Sequence, residues 1–337
     1  MKASIFRGKT VLVTGGTGTI GSELVRQVLT YKPKQVRIFS RDDTRQYELR
    51  QTLPQNAPLR FLIGDVRDYA RLEIAMRGVD IVLHAAALKH VPASEFNPYE
   101  AVKTNIIGSQ NVIELAVIHR VRRVIAVSTD KAANPKNVLG TSKLMMEKLF
   151  INANYTHGLR SNKDGFTPTR FSCVRFGNVL WSRGSVLPVW KERAERLGEI
   201  LITDPAMTRF MMSQTQAMAL VLSAAELARG GEVFILKMPS ISLGELAKLF
   251  IKKYYSGKKI RVVRGANRGR EKLHEELFMS DDQGDVFENK AMLVHVPHLL
   301  IDLLKQPIFT YPGFKRRAPF TYSSRDNLNP KAIARML

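Results

Sequence analysis

The run Val11-Leu12-Val13-Thr14-Gly15-Gly16-Thr17-Gly18-Thr19-Ile20-Gly21-Ser22-Glu23-Leu24-Val25 decides how this chain folds. It opens inside Thr10–Thr14, a short β-branched and aliphatic segment that reads as a buried strand. It closes on the start of a helix whose Leu24, Val25, Val28 and Leu29 recur at helical spacing. Between the two, Gly15, Gly18 and Gly21 stand at G-x-x-G-x-x-G spacing. Small residues there let the backbone turn tightly, approach a pyrophosphate and pack helix against strand. The helix N-terminus then offers unpaired N–H groups and a positive dipole end to the phosphates. A glycine triplet alone is also compatible with a plain turn. Its position between a strand and a helix points instead to a dinucleotide site formed by Thr14, Gly15, Thr17, Gly18, Thr19, Ile20 and Gly21.

The same alternation continues outward. Gln35–Ser40, Leu59–Ile63, Ile81–Ala85 and Arg123–Ser128 are short apolar runs, each followed by a longer stretch at helical spacing such as Val102–His119. Continuous apolar strands with intervening helices imply a parallel sheet covered on both faces, a doubly wound α/β architecture of Rossmann type. After about Gly177 prolines punctuate shorter segments, with helical patterns near Gln214–Arg229 and Leu243–Lys253. The expected organisation is a dinucleotide-binding domain over 1–177. Residues 178–337 then form mainly a smaller α+β cap, with some segments returning to the core.

The strand ends carry the candidate chemistry. Ser40-Arg41-Asp42 closes the second strand; the hydroxyl and cation suit the 2′-phosphate of NADP, while Asp42 leaves NAD open as the less favoured cofactor. Asp65, followed by Val66, can accept from an adenine amine or serve as a cap, and Ala85 and Ala86 leave room for a flat nicotinamide half. Lys89 and His90, after the fourth strand, would face sugar and phosphates, although His90 also reads as a packed loop histidine. Ser128-Thr129-Asp130-Lys131 ends the fifth strand, where reactive groups gather in such sheets. Asp130 and Lys131 could be a loop ion pair; in this fold an adjacent hydroxyl, carboxylate and amine read as acid–base machinery. Lys143 lies four residues after Leu139, on the same helix face.

Composition bounds the rest. The chain has 337 residues, 45% hydrophobic and 24% charged, an ordinary globular balance. No apolar run is long enough to cross a bilayer, and Met1–Gly8 leaves no room for a signal peptide. One cysteine, Cys173, excludes an intrachain disulfide framework, and a soluble cytoplasmic protein is expected. The 52 basic against 30 acidic residues, formally +22, would attract polyanions. No zinc-finger spacing or RNA-binding signature accompanies them, so dedicated nucleic-acid binding is not expected.

The segments TGGTGTIGSELV, IFSRD, GDVRD, HAAALKHVP, EAVKTNIIGSQNV, STDKAANPKNVLGTSK, VRFGNV, SRGSV, ITDPAMTRFM and EKLHEEL, with Tyr322-Ser323-Ser324, run in order along the chain. Together they resemble the UDP-N-acetylglucosamine 4,6-dehydratases of bacterial surface-glycan synthesis, within the extended short-chain dehydrogenase/reductase superfamily. The resemblance implies an enzyme that moves a hydride from carbon 4 to carbon 6 of the sugar through NADP and expels water; the alternatives are a sugar-nucleotide epimerase or reductase of the same fold, or a non-catalytic dinucleotide sensor. By the same resemblance, Asp130 is the acid for the departing water and Lys131 the base at carbon 5. Thr129 assists at the 4-hydroxyl, and Lys143 holds the nicotinamide ribose. Asn178, Arg183, Ser185, Arg209 and Glu271 fall on positions that grip UDP, with surface ion pairing as the plainer reading of the two arginines. UDP-N-acetylglucosamine is the implied substrate and a homo-oligomer the implied assembly. Two positions depart from the pattern. Leu139 stands where the superfamily tyrosine is usual, as some dehydratases carry methionine there, and Arg268-Gly269-Arg270-Glu271-Lys272 replaces Arg-Pro-Gly-Glu-Lys. Loss of that tyrosine removes one proton-transfer group and leans the expected outcome at carbon 5 towards retention. Asn105 reads as a water ligand or a surface residue, and Glu147, Arg175 and Arg193 as structural.

Overall fold

The computed structural model describes residues 5–156, 168–265, 271–282, 284–298 and 310–337. Strands β1 (Thr10–Thr14), β2 (Gln35–Ser40), β3 (Leu59–Ile63), β4 (Ile81–His84) and β5 (Arg123–Val127) form where the apolar runs lie. Every residue of β1 and β4 is buried, as strands covered on both faces require. Helices α1 (Thr19–Thr30), α2 (Asp43–Gln51) and α3 (Tyr69–Met76) return the chain between them. Asp42 and Asp68 start α2 and α3 by accepting from the backbone N–H of Arg45 and Arg71. Gly18 starts α1 with no side-chain acceptor, so the first N–H groups of α1 remain available to a ligand.

The stretch expected as one helix from Val102 divides. After α4 (Val91–Phe96) and α5 (Pro98–Ala101), Val102–Ile107 is a π-helical turn, and α6 (Gly108–Ile118) resumes α-geometry. The wider turn buries Asn105 completely: its amide donates to Leu88 O and Ser142 Oγ and accepts from Leu88 N. The surface reading of Asn105 is therefore corrected; it ties the loop after β4 to α7 (Val138–Thr156).

From β6 (Arg170–Arg175) onward the chain serves two places. β7 (Asn178–Val179), α8 (Val186–Leu197), β8 (Glu199–Ile202) and β9 (Thr208–Met212) begin a smaller layer. α9 (Gln214–Leu227) then packs on α1, β5 and β6, and β10 (Val233–Leu236) enters the large sheet beside β6. β11 (Ser240–Ser242), α10 (Leu243–Tyr254) and β12 (Arg261–Arg264) return to the smaller layer, where β11 pairs with β9 and β12 with β8. β13 (Glu276–Phe278) pairs with β17 (Tyr322–Ser323), while β14 (Gly284–Glu288), β15 (Met292–Pro297) and β16 (Lys315–Arg317) extend the large sheet antiparallel.

The large sheet runs β16-β14-β15-β10-β6-β5-β4-β1-β2-β3, parallel from β10 to β3. This is the expected doubly wound Rossmann topology, with its order reversing between β1 and β4. Two apolar cores result. One surrounds the sheet; the other gathers Leu187, Trp190, Ile241, Phe250 and Ile333 under α8, α10 and the helix Pro330–Met336. Residues after 177 contribute to both.

Candidate active site

A cavity of about 700 Å³ opens at the carboxyl ends of β1, β4 and β5, within the size range of cofactor and ligand sites. The glycine loop forms one end. Gly15 has φ +65°, and a Cβ built on it would stand 2.7 Å from Ala86 N; one built on Gly21 would stand 2.2 Å from Gly15 O. The loop thus closes on the Ala85–Ala86 backbone at the topological switch point, and any side chain there would force the strands apart. Thr17, Gly18, Thr19, Ile20, Val66, Ala85 and Ala86 line the same end. A backbone cradle opposite an uncapped helix N-terminus fits a dinucleotide pyrophosphate.

The groups at the end of β2 are more specific. Arg41 is exposed and 3.4 Å from Asp65, whose carboxylate also takes paired bonds from Arg67 at 2.7 and 2.9 Å. Burial pushes the Asp65 carboxyl up, but the hydrogen bonds and charge of Arg67, with Arg41, hold it below its ordinary value. Asp42 caps α2 and meets Arg45 Nε at 3.1 Å, so it is already engaged where a ribose hydroxyl would need it. Arg45 lines the cavity beside Arg41. It escaped notice in the sequence because its reach depends on the α2 start, three residues after the cap.

At the end of β5, Thr129 Oγ1 donates to Asp130 Oδ1 at 2.8 Å, and Lys131 Nζ donates to the same oxygen at 3.0 Å. Asp130 is 1% exposed, and its Oδ2 has no partner among the described residues. Burial alone would draw the Lys131 ammonium down; Asp130 and Glu275, whose Oε1 is 3.6 Å away, raise it instead. Lys143 donates to Val127 O at 2.6 Å, and burial draws it down to about 8. Leu139 lines the cavity and brings no polar atom to it. Beneath the floor, Thr14 Oγ1 and Ser109 Oγ bracket the His84 ring at 2.7 and 3.1 Å, and burial holds that imidazole down at about 3, hence neutral.

The remaining expected residues divide. Lys89, His90, Asn178, Arg183 and Ser185 line the cavity. Lys89 Nζ donates to Arg183 O, while Arg183 donates to Thr17 O and its N–H reaches Thr19 Oγ1 at 3.2 Å. The segment carrying Arg183 therefore lies across the glycine loop, where nucleotide-sugar and dinucleotide phosphates would meet. Burial and the Arg183 charge lower Lys89; burial and Lys89 lower His90. Thr14, Ser40, Arg209 and Glu271 do not line it. Thr14 turns to His84, and Ser40 is buried with its Oγ accepting from Gln46 Nε2 at 3.1 Å. Arg209 is buried rather than at the surface, spending its guanidinium on Thr208 O, Lys272 O and Glu271 Oε2 at 2.9, 3.0 and 3.1 Å. The Arg268-Gly269-Arg270 departure lies outside the described residues. Glu147 and Arg175 form a buried paired-bond contact at 2.6 and 2.9 Å behind α7.

Sheet order, glycine cradle and the β5 triad with Lys143 on α7 define a protein class, the extended short-chain dehydrogenase/reductases. Within it, the chain belongs to the polysaccharide biosynthesis protein family, which matches residues 11–296. It is 45% identical over 332 residues to a UDP-N-acetylglucosamine 4,6-dehydratase (inverting) of Campylobacter jejuni, covering 96% of this chain and 94% of that one. It is 47% identical over 301 residues, 88% of each chain, to an uncharacterized membrane protein of Methanocaldococcus jannaschii. A UDP-glucose 4-epimerase of Rickettsia prowazekii is 43% identical over 283 residues, 82% of this chain and 80% of that one. The X-ray structure of Pen from Bacillus thuringiensis superposes with a TM-score of 0.88 at 38% identity, covering 98% of each chain. Among the described residues no helix is long and apolar enough to cross a membrane.

Proposed function

We propose that this chain is a hydro-lyase, a UDP-N-acetylglucosamine 4,6-dehydratase, with NADP as its resident cofactor and surface-glycan synthesis as its destination. The observation that carries the reading is the Thr129–Asp130–Lys131 triad at the end of β5, its Asp130 buried, opening into the cavity that Lys143 and the glycine cradle share. When bound, the nicotinamide would take the hydride of carbon 4 and return it at carbon 6, so none is consumed. The chain's own residues manage the protons. Thr129, already bonded to Asp130, assists at the 4-hydroxyl, a task Leu139 cannot perform, and that proton leaves through the open cavity to solvent. Lys131 takes the proton of carbon 5, made acidic by the neighbouring ketone, and Asp130 protonates the hydroxyl leaving carbon 6. Lys143 would hold the nicotinamide ribose. Arg41 and Arg45 would hold the 2′-phosphate, and the engagement of Asp42 with Arg45 supports NADP over NAD. Lys89, His90, Asn178, Arg183 and Ser185 receive the UDP-sugar.

At carbon 5 the similarity to a relative named as inverting outweighs the lean to retention drawn from Leu139, and inversion is the outcome proposed. Inversion needs a proton donor on the ring face away from Lys131, and Lys89 and His90, a lysine and a histidine lining the cavity outside the β5 triad and α7, are the candidates proposed. The epimerase similarity supports a second reading, in which the sugar is oxidised and reduced at carbon 4 only. Mass spectrometry of the product from UDP-N-acetylglucosamine separates them: loss of one water without added cofactor is expected. A product of unchanged mass would overturn the dehydratase reading, and proton NMR of the fresh product, reduced to fix its ring, reads carbon 5.

A further inference from the structure

Glu275 stands just before β13, far from the triad in sequence and against it in space. It is 3% exposed. Its Oε1 lies 3.6 Å from Lys131 Nζ and 3.9 Å from Arg209 Nε. Its main chain is pinned on both sides by Ser324, which accepts from Glu275 N through Oγ at 2.8 Å and donates its own N–H to Glu275 O at 2.8 Å. Among the described residues Glu275 Oε2 and Asp130 Oδ2 are both buried without partners. A structural ion pair would satisfy its outer oxygens; two orphaned carboxylate oxygens around one lysine are costly and mark a site where groups are held for use.

We infer that Glu275 is a positioning residue for Lys131: the second carboxylate of a buried clamp that holds the lysine ammonium, and its proton, in the site until Asp130 takes that proton. The inference rests on the dehydratase reading. Transfer breaks an N–H bond of Lys131 and forms an O–H bond on Asp130 Oδ1, 3.0 Å away. One step thus yields the neutral amine needed at carbon 5 and the carboxylic acid needed at carbon 6, with no change in net charge. The proton given to the departing water then comes from within the site. Glu275 governs how tightly Lys131 holds it, because a second negative charge favours the ammonium. The other charges around the clamp are Arg209 on β9, Lys143 on α7, and Lys272 with Glu276, which pair at 2.5 Å. Burial first, and then the Asp130 charge, raise Glu275 above the ordinary carboxyl value, against the opposing charges of Lys131, Arg209 and Lys272.

The test is competitive acetylation with acetic anhydride across pH, read at Lys131 by mass spectrometry in wild type and Glu275→Gln, alongside the pH profile of kcat/KM for water loss. The onset of Lys131 acetylation, and the acidic limb of the profile, are expected to move down by about one pH unit or more in Glu275→Gln. A folded Glu275→Gln protein with both unchanged would overturn the inference, whatever its KM or Tm. Should that variant not fold, Glu275→Asp carries the test. Its carboxylate sits one methylene further from Lys131, so an intermediate shift and a lower kcat at near-wild-type KM are expected, and neither changing would overturn it. The labelling needs no substrate, so an absence of water loss in wild type would sink the dehydratase reading while the clamp itself is still measured.

Discussion

Asp130 and Lys131 touch each other and the cavity, and the dehydratase reading gives both of them proton-transfer roles. Replacing Lys131 by Ala or Asp130 by Asn removes a group that general acid–base catalysis values at roughly 10²–10⁴-fold. Both variants should lose water-elimination activity in that range while UDP binding, followed by calorimetry, stays near wild type; a loss below about tenfold in both would remove them from the chemistry. Leu139→Ala should change the rate by less than about tenfold, since leucine offers packing and no proton. Lys143 adds a pH dependence of its own. Burial draws it down to about 8, so below that pH it is an ammonium with three N–H donors and above it an amine. NADP affinity should therefore fall as pH rises from about 7 to about 9, and Lys143→Met should bind more weakly with that slope gone. Fluorescence titration at several pH values measures both.

The strand–loop–helix unit β1-loop-α1 is the element on which the proposed cofactor binding turns. With φ +65° at Gly15 and Ala86 N at 2.7 Å from any added Cβ, Gly15→Ala combines left-handed strain of about 1–2 kcal/mol with a backbone collision. The loop must move off β4, and the cradle widens where it has to match a pyrophosphate. Wild-type protein is expected to release NADP(H) on denaturation, identified by chromatography, and Gly15→Ala to purify without it. Release of NAD alone from the wild type would refute the roles given to Arg41 and Arg45. The π-helical turn Val102–Ile107 acts at the same scale. By turning Asn105 inward it fastens the loop bearing Lys89 and His90 to the helix bearing Lys143, so the groups proposed for sugar and for cofactor are tied together.

Across the whole molecule the chain crosses between its two cores several times after residue 177. α9 covers α1, β5 and β6, and β10 pairs with the exposed side of β6. A fragment ending at residue 177 would thus leave Phe171 and Val174, buried in the intact protein, facing solvent along a sheet edge. Such a fragment should neither remain soluble nor bind NADP, although it contains the whole glycine loop. Expression of residues 1–177 followed by circular dichroism and nucleotide titration checks this; a folded, binding fragment would show that the first half is autonomous.

The parts legible in the amino-acid order were those set by short-range chemistry. Strand positions, the glycine spacing and the adjacency of Thr129, Asp130 and Lys131 are local, and burial on both faces leaves the same apolar signature wherever a parallel strand lies. The fold class followed from them. What lay beyond reach depended on contacts distant in sequence. Glu271, Glu275 and Glu276 stand within one short segment, and only the pinning of that segment by Ser324 determines that Glu275 faces Lys131 while Glu271 meets Arg209. Arg209 reads as a surface cation until β9 and the Lys272 carbonyl enclose it. Asn105 reads as ordinary helix until a π turn, stabilised by Leu88 and Ser142, rotates it inward. Charge and polarity carry no direction along a chain; tertiary packing supplies it, because burial makes each polar group find its partner wherever the fold has placed one.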